Sequence, residues 1–280
     1  MPFKTILVHC DADKKLAHRL GVATSLAEAH ESHLVGLYVR PPFQPPVVFD
    51  SGFTVAMEDF YRMYEETTDA DQKKASSAFA QALKGKKVSS EWRQADGPID
   101  SEFAMQARYA DLAIVGQSDP DAPIATPPDL PQYAALGSGR PVLVIPFVGV
   151  QKPPGQNVLL CWNESRESAR AAKDALPILK TASAVTALIV GGEGANAEGS
   201  RRSADRIEAW LGRHGVKGRA KLESGAASEV GGLILSRAAD LGADLIVMGV
   251  YGHSRAREFV MGGASRTLLA SMTVPVFMAH

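Results

Sequence analysis

The chain is written twice, and this repeat restricts the fold more than any other feature of its 280 residues. Residues 4–11, KTILVHCD, and 156–163, QNVLLCWN, are short apolar runs that end on a polar side chain, each followed by an alanine-rich helical stretch. Further along, ADLAIVG (Ala110 to Gly116) matches ADLIVMG (Ala243 to Gly249), and RPVLVIP (Arg140 to Pro146) matches VPVFMA (Val274 to Ala279). Asp11 thus corresponds to Asn163, and Gly116 to Gly249. Between the copies, FVGVQKPPGQ (residues 147–156) has the proline, glycine and polar content of a linker, which places the boundary near Gln151 and gives domains 1–150 and 151–280.

Each copy reads as strands alternating with helices. In the second, the strands are VLLCW, AVTALIV, RAKLES, DLIVMG and VPVFMA, and the helices are SARAAKDALPILK, SRRSADRIEAWLGRHG, SEVGGLILSRAADLG and ASRTLLASM. Continuous apolar strands separated by amphipathic helices call for a parallel sheet covered on both faces, with right-handed crossovers. The expected fold is therefore α/β: two tandem Rossmann-like or flavodoxin-like domains, each a five-stranded parallel sheet with helices on both faces. In such sheets a ligand sits outside the carboxyl ends of the strands where the strand order reverses. In the second copy that rule selects Asn163, the strand end near Val190 and the loop after Gly249.

The residues at that loop are the least ordinary in the chain. Gly249-Val-Tyr-Gly252-His253 is followed, with nine residues between Gly252 and Gly262, by Gly262-Gly263-Ala264-Ser265 and the helical RTLLASM. Glycines allow close backbone approach, and the free N–H groups and dipole of a helix start favour an anion, so phosphate is the expected guest. Arg255, Arg257 and Arg266 add positive charge locally. His253, beside Gly252, is a candidate phosphate contact or acid, but no carboxylate or nucleophile accompanies it in the motif, so an exposed loop histidine is the preferred reading. Glycines after strands are also common turn punctuation, and a serine at a helix start is a common cap; the combined pattern, at the place the topology selects, favours the ligand.

The spacing Gly249-xx-Gly252-x9-Gly262-(Gly263), followed by Ser265 and VPVFM, resembles the ATP-binding signature of the universal stress protein (UspA-like) family, and the whole chain resembles its tandem form. The resemblance implies that Asn163 takes the position of an adenine-contacting Asp and that Val190 lies near an apolar adenine contact. It further implies that Met248 and Gly249 line the nucleoside, while Gly252, Gly262, Gly263, Ala264 and Ser265 hold ribose and phosphates. Two positions depart from the pattern. Asn163 replaces Asp and can both donate and accept; Gly263 stands where a Ser or Thr is usual, which removes one phosphate hydroxyl.

The first copy lacks this constellation. Gly116 remains, but Asp119 replaces the second glycine, SDPDAPIATPPDLPQ replaces the loop, and Pro128 and Asp129 stand in for Gly262 and Gly263. Proline has no amide to donate and aspartate repels phosphate, so the first copy is expected to bind no ATP. It carries instead an insertion over residues 41–66, rich in proline and in aromatics: Phe43, Phe49, Phe53, Phe60, Tyr61 and Tyr64. That segment reads as a lid packed on the protein itself, with a partner-docking surface as the alternative. His9 reads as a buried core histidine, and Trp162 as either packing or a flank of the base.

Charge and composition set the remaining limits. With 30 Lys+Arg against 31 Asp+Glu and a net charge of −1, no basic field draws in nucleic acid or an anionic membrane. The two cysteines, Cys10 and Cys161, have no disulfide or zinc spacing. No signal-peptide pattern opens the chain, and no apolar run reaches the ~18 residues a bilayer requires. A soluble, cytoplasmic protein is expected. GxxxxGK[ST], HExxH and GxSxG are absent from the sequence, so no catalytic residue and no metal-ligand set is assigned, and Mg2+ would arrive only with the nucleotide.

The sequence thus points to a stress-response regulatory protein with ATP as ligand, one site in its second half, and the two halves packed as an intramolecular pseudo-dimer through RPVLVIP and VPVFMAH. Occupancy would change which surface meets an unknown protein partner, and pairing of whole chains into a homodimer stays open. The alternatives are a slow ATPase or nucleotidyl-transferring enzyme, and a non-binding scaffold that docks a partner through its aromatic insertion.

Overall fold

The computed structural model describes residues 2–45, 54–118, 127, 129–150, 152–191, 197–226, 229–250 and 263–280. The first half runs β1 (Thr5–His9), α1 (Leu16–His30), β2 (His33–Arg40), α2 (Thr54–Leu83), β3 (Ser89–Asp96), α3 (Ile99–Ala107), β4 (Leu112–Gly116), α4 (Leu130–Ser138) and β5 (Val142–Ile145). The second runs β6 (Asn157–Cys161), α5 (Arg166–Asp174), α6 (Leu176–Leu179), β7 (Ala184–Gly191), α7 (Ala197–Arg213), β8 (Gly218–Ser224), α8 (Val230–Asp240), β9 (Leu245–Gly249), α9 (Gly263–Ser271) and β10 (Val276–Ala279).

Within each half the strands are parallel, and their order reverses between the first and fourth. The two five-stranded sheets do not stay separate. They merge into one ten-stranded sheet of order β3-β2-β1-β4-β5-β10-β9-β6-β7-β8. The join is the antiparallel pair β5–β10, in which Val276 faces Val144, Phe277 faces Leu143 and Met278 faces Val142. These are the two closing strands of the repeat, RPVLVIP and VPVFMA. Every residue of both strands is buried, because parallel-type strands covered on both faces are apolar on both.

The same logic makes the core continuous across the join. On one face α1, α2, α5, α6 and α7 cover a cluster that includes Leu20, Phe79, Leu143, Leu179, Leu211 and Phe277. On the other, α3, α4, α8 and α9 cover Phe103, Ala134, Val144, Ile234, Leu268 and Met278. Burying a large aliphatic or aromatic side chain contributes ~1.5–3 kcal/mol, so the seam is a part of the core rather than a surface contact.

Two elements differ from the sequence reading. The helix expected over SARAAKDALPILK breaks at Ala175 into α5 and α6, with a proline in the first turn of the second piece, since Pro177 cannot donate in a helix interior but is tolerated at a helix start. The other difference is the insertion after β2, whose second half, residues 54–66, forms the start of α2, a helix of 30 residues. The carboxyl-terminal part of α2 is the ordinary crossover to β3: Ala75 and Phe79 are buried, and Phe79 packs on Trp92. Its amino-terminal part is anchored to the end of β2. The Tyr64 hydroxyl donates to the Pro41 carbonyl at 2.5 Å, the Tyr38 hydroxyl donates to the Thr68 carbonyl at 3.1 Å, and Phe43 meets Tyr61 edge-to-face at 5.3 Å. Phe60, Tyr61 and Met63 remain exposed. Phe49 and Phe53 lie outside the described residues.

Candidate functional site

Because the strand order reverses between β6 and β9, their carboxyl ends flank a crevice. Asn163 stands two residues beyond β6 and is exposed. Its Oδ1 accepts the Ser165 backbone N–H at 3.2 Å, an Asx turn that leads the chain into α5. Ser165 then caps that helix, its hydroxyl accepting the Ser168 N–H at 3.1 Å. Between them Glu164 adopts the left-handed region, with φ at 58°. With its carbonyl committed to the turn, Asn163 offers its amide N–H donors to a ligand.

Gly249 ends β9, and the reason for its glycine is visible. A Cβ there would lie 2.3 Å from the Glu167 carbonyl carbon and 2.4 Å from the Ser168 nitrogen. The first turn of α5 therefore packs directly on the strand end, so the missing side chain admits the helix backbone. Met248 is buried in the core face shared with α8 and α9, and Val190, near the end of β7, is partly buried against the same cluster.

One strand over, α9 begins at Gly263. A Cβ at Gly263 would meet nothing within 4 Å, whereas Ser265 is only 5% exposed and shares the inward face with Leu268. Gly263 and Ala264 therefore form the accessible part of this helix start. Gly252, His253 and Gly262, with the rest of the expected loop, lie outside the described residues. At its other end α9 is tied to the first half: the Gln117 amide donates to the Leu269 carbonyl at 2.8 Å, while its oxygen accepts the Phe147 N–H at 3.0 Å. A terminal carbonyl that would otherwise lack a partner is thus satisfied across the seam.

Sequence reasoning missed two charged groups. Glu167, in the first turn of α5, is buried beside Gly249. Burial opposes its charge, yet hydrogen bonding from the local backbone, from Ser165 and from Arg166 holds its carboxyl below the usual range. It therefore stays charged in the first turn of α5, whose backbone packs on Gly249. The Trp162 indole, considered as a flank of the base, donates instead to the Ser203 hydroxyl on α7 at 3.2 Å.

The second missed group is in the first half. There Asp11 is buried, and Arg19 from α1 donates to its Oδ1 at 2.6 Å. His9 is buried as expected, its Nδ1 3.4 Å from the other Asp11 oxygen. Asp129 stands exposed at the start of α4, and no side-chain cap is formed there. Asp119 and Pro128 lie outside the described residues. Among the described residues no group of three or more His, Cys, Asp or Glu could hold a metal ion, and no helix is long and apolar enough to cross a membrane.

Comparisons with known proteins bear on the same half. Residues 155–280 match the family model described as the universal stress protein family. Among solved structures, a universal stress protein from Archaeoglobus fulgidus DSM 4304 superposes with a TM-score of 0.71 at 15% identity, over 98% of this chain and 95% of that one. A functionally unknown protein from Pseudomonas aeruginosa PAO1 gives a TM-score of 0.62 at 19% identity, over 99% and 92%. At these identities the likeness is one of fold, and it extends over both halves. No curated protein matches the chain. Residues 155–280 thus match the universal stress protein family, and the first half repeats the same α/β fold in tandem.

Proposed function

We propose that the second half binds an adenine nucleotide of the ATP type, with the base near Asn163 and Val190, the nucleoside along Met248 and Gly249, and the phosphates at the start of α9. The supporting observation is a juxtaposition. An exposed amide just beyond β6 and an uncovered glycine at the start of the helix that follows β9 belong to the two neighbouring strands between which a doubly wound sheet receives ligands. Gly252, His253 and Gly262 complete the reading from the sequence motif. Mg2+ enters with the phosphates, whose charge it offsets.

On this reading the chain is a nucleotide-responsive regulator under stress, divided at residues 150 and 151, and working in a reducing compartment that keeps its two cysteines free. Nucleotide is sensed at one end of α9 and the other end is tied by Gln117 to the first half, so occupancy changes the surface the paired halves present to a protein partner.

Native mass spectrometry of the purified chain, with denaturing release of any bound small molecule, tests the reading. One adenine nucleotide per chain, or one added on titration with Mg·ATP, is the expected result. An unchanged mass across that titration would overturn it.

A further inference from the structure

The crevice of the first half is filled from within. Arg19, one turn into α1, is only 2% exposed. Its Nη2 donates to Asp11 Oδ1 at 2.6 Å, and its Nη1 lies 2.9 Å from the point a Cβ on Gly116 would occupy. The guanidinium therefore spans the carboxyl ends of β1 and β4, the neighbouring strands at which the order of the first half reverses. Asp11 is held from every side. The Asp13 N–H donates to Oδ1 at 3.2 Å, and His9, its ring edge-on to Phe103 at 5.5 Å, stands against Oδ2. Lys74 on α2 closes the loop above by donating to the Ala12 carbonyl at 2.6 Å.

A carboxylate this deeply buried requires a cationic partner, and a planar fork of donors suits it best. The fork is not fully used: Arg19 Nε is buried without a hydrogen-bond partner. The guanidinium lies lodged across the strand-end crevice, between Asp11 and Gly116.

We propose that the first half carries a guanidinium-binding site around Asp11, occupied by the chain's own Arg19, which closes the strand-end crevice and withdraws Asp11 from any external ligand. Cutting the side chain back leaves a space of guanidinium shape with a carboxylate at its base, and a small guanidinium cation from solution fills it.

The test uses the full chain and methylguanidinium as the probe, with sodium chloride at equal ionic strength as control. Arg19→Ala should melt several degrees below the parent protein, and millimolar methylguanidinium should recover part of that loss while leaving the parent unmoved. Asp11→Asn/Arg19→Ala should not respond. Equal responses of the parent and Arg19→Ala, or a response that survives Asp11→Asn, would overturn the proposal. If Arg19→Ala is recovered only unfolded, refolding from urea becomes the readout: native circular dichroism regained only with methylguanidinium supports the site, and failure both with and without it refutes the site.

Discussion

Asp11 and Asn163 occupy the same place in the repeat and differ by one terminal atom, yet their surroundings are opposite. Asp11 is buried between Arg19 and His9; Asn163 is exposed and held by an Asx turn. The partner residues follow the same division. Eight residues beyond Asp11 stands Arg19, while eight beyond Asn163 stands Ala171, fully buried on the core face of α5. With a small residue there, α5 settles its first turn onto Gly249; with Arg19, a guanidinium takes the matching position at Gly116. One duplicated scaffold has thus been closed in one half by an internal ion pair and left with a reachable amide in the other.

The most severe way to break that comparison is to remove one member of the pair. Truncating one partner of a buried salt bridge leaves an uncompensated charge and costs about 3–5 kcal/mol, so Arg19→Ala should lower unfolding free energy by that order in urea denaturation. Asp11→Asn/Arg19→Leu removes both charges and should cost clearly less than the single change. Asn163→Ala loses one hydrogen bond at an exposed site, about 0.5–1.5 kcal/mol, and its main effect should be on nucleotide affinity. Equal stability losses for Arg19→Ala and Asn163→Ala would erase the distinction between the halves.

The glycines give the next largest contrast. At Gly249 an added methyl meets helix backbone at 2.3 Å, which cannot move without shifting α5; at Gly116 it meets the end of a side chain at 2.9 Å. Overpacking against fixed atoms costs about 1–3 kcal/mol. Gly249→Ala should therefore lower the melting temperature more than Gly116→Ala. The reverse order would mean that α5 is not seated as described.

These contrasts also separate what the sequence discloses from what it conceals. The repeat and its alternating elements lead to two five-stranded α/β halves and to the seam strands, whereas their merger into one ten-stranded sheet shows only when β5 and β10, apolar on both faces, pair with each other. Gly249 was legible as a special position, but the atom requiring it was not: the Glu167 backbone comes near it only once α5 is packed. Arg19 left a signal that alanine-rich surroundings masked. It falls with Leu16, Leu20 and Ala23 on the helix face that packs on the sheet, where a cation is out of place unless something buried pairs with it. Aromatic residues in the insertion read as a lid packed on the protein itself; that this segment continues into the crossover helix to β3 is seen only from Phe79 packed on Trp92.

Ligand affinity provides a finer test of the second half. Gly263→Asp places a carboxylate at the first position of α9, where an added Cβ meets nothing within 4 Å. In the free protein a negative charge there is favoured by the helix dipole, by about 0.3–1 kcal/mol; against bound phosphate it repels, and a penalty of about 1.4 kcal/mol is a tenfold loss. The expected signature is a split: melting temperature unchanged or raised, ATP affinity by calorimetry down at least about tenfold. Gly263→Ser restores a hydroxyl and should tighten binding by the worth of one hydrogen bond, about 0.5–1.5 kcal/mol. If both variants bind as the parent does, the start of α9 does not hold the phosphates.

The smallest effect concerns the residue beside each polar strand end, Cys10 before Asp11 and Cys161 before Trp162. Burial pushes the Cys10 thiol up to about 12, with nearby Arg19 opposing and Asp11 reinforcing the shift; burial alone raises Cys161 to about 12. The thiolate is the reactive form, so neither cysteine should be alkylated by iodoacetamide in the native chain at pH 8, and both should react in urea. Because the folded thiol holds its proton more tightly than the unfolded one, whose ordinary value is 9.0, its contribution to stability is complete below pH 9 and declines as pH rises toward 12. In Arg19→Ala the cation that opposes the shift is gone while Asp11 remains, so Cys10 should become still harder to alkylate if the fold is kept. Faster labelling of Cys10 than of Cys161 in that variant would show instead that the first crevice has opened to water, and its rescue by methylguanidinium would tell a filled site from a loosened strand.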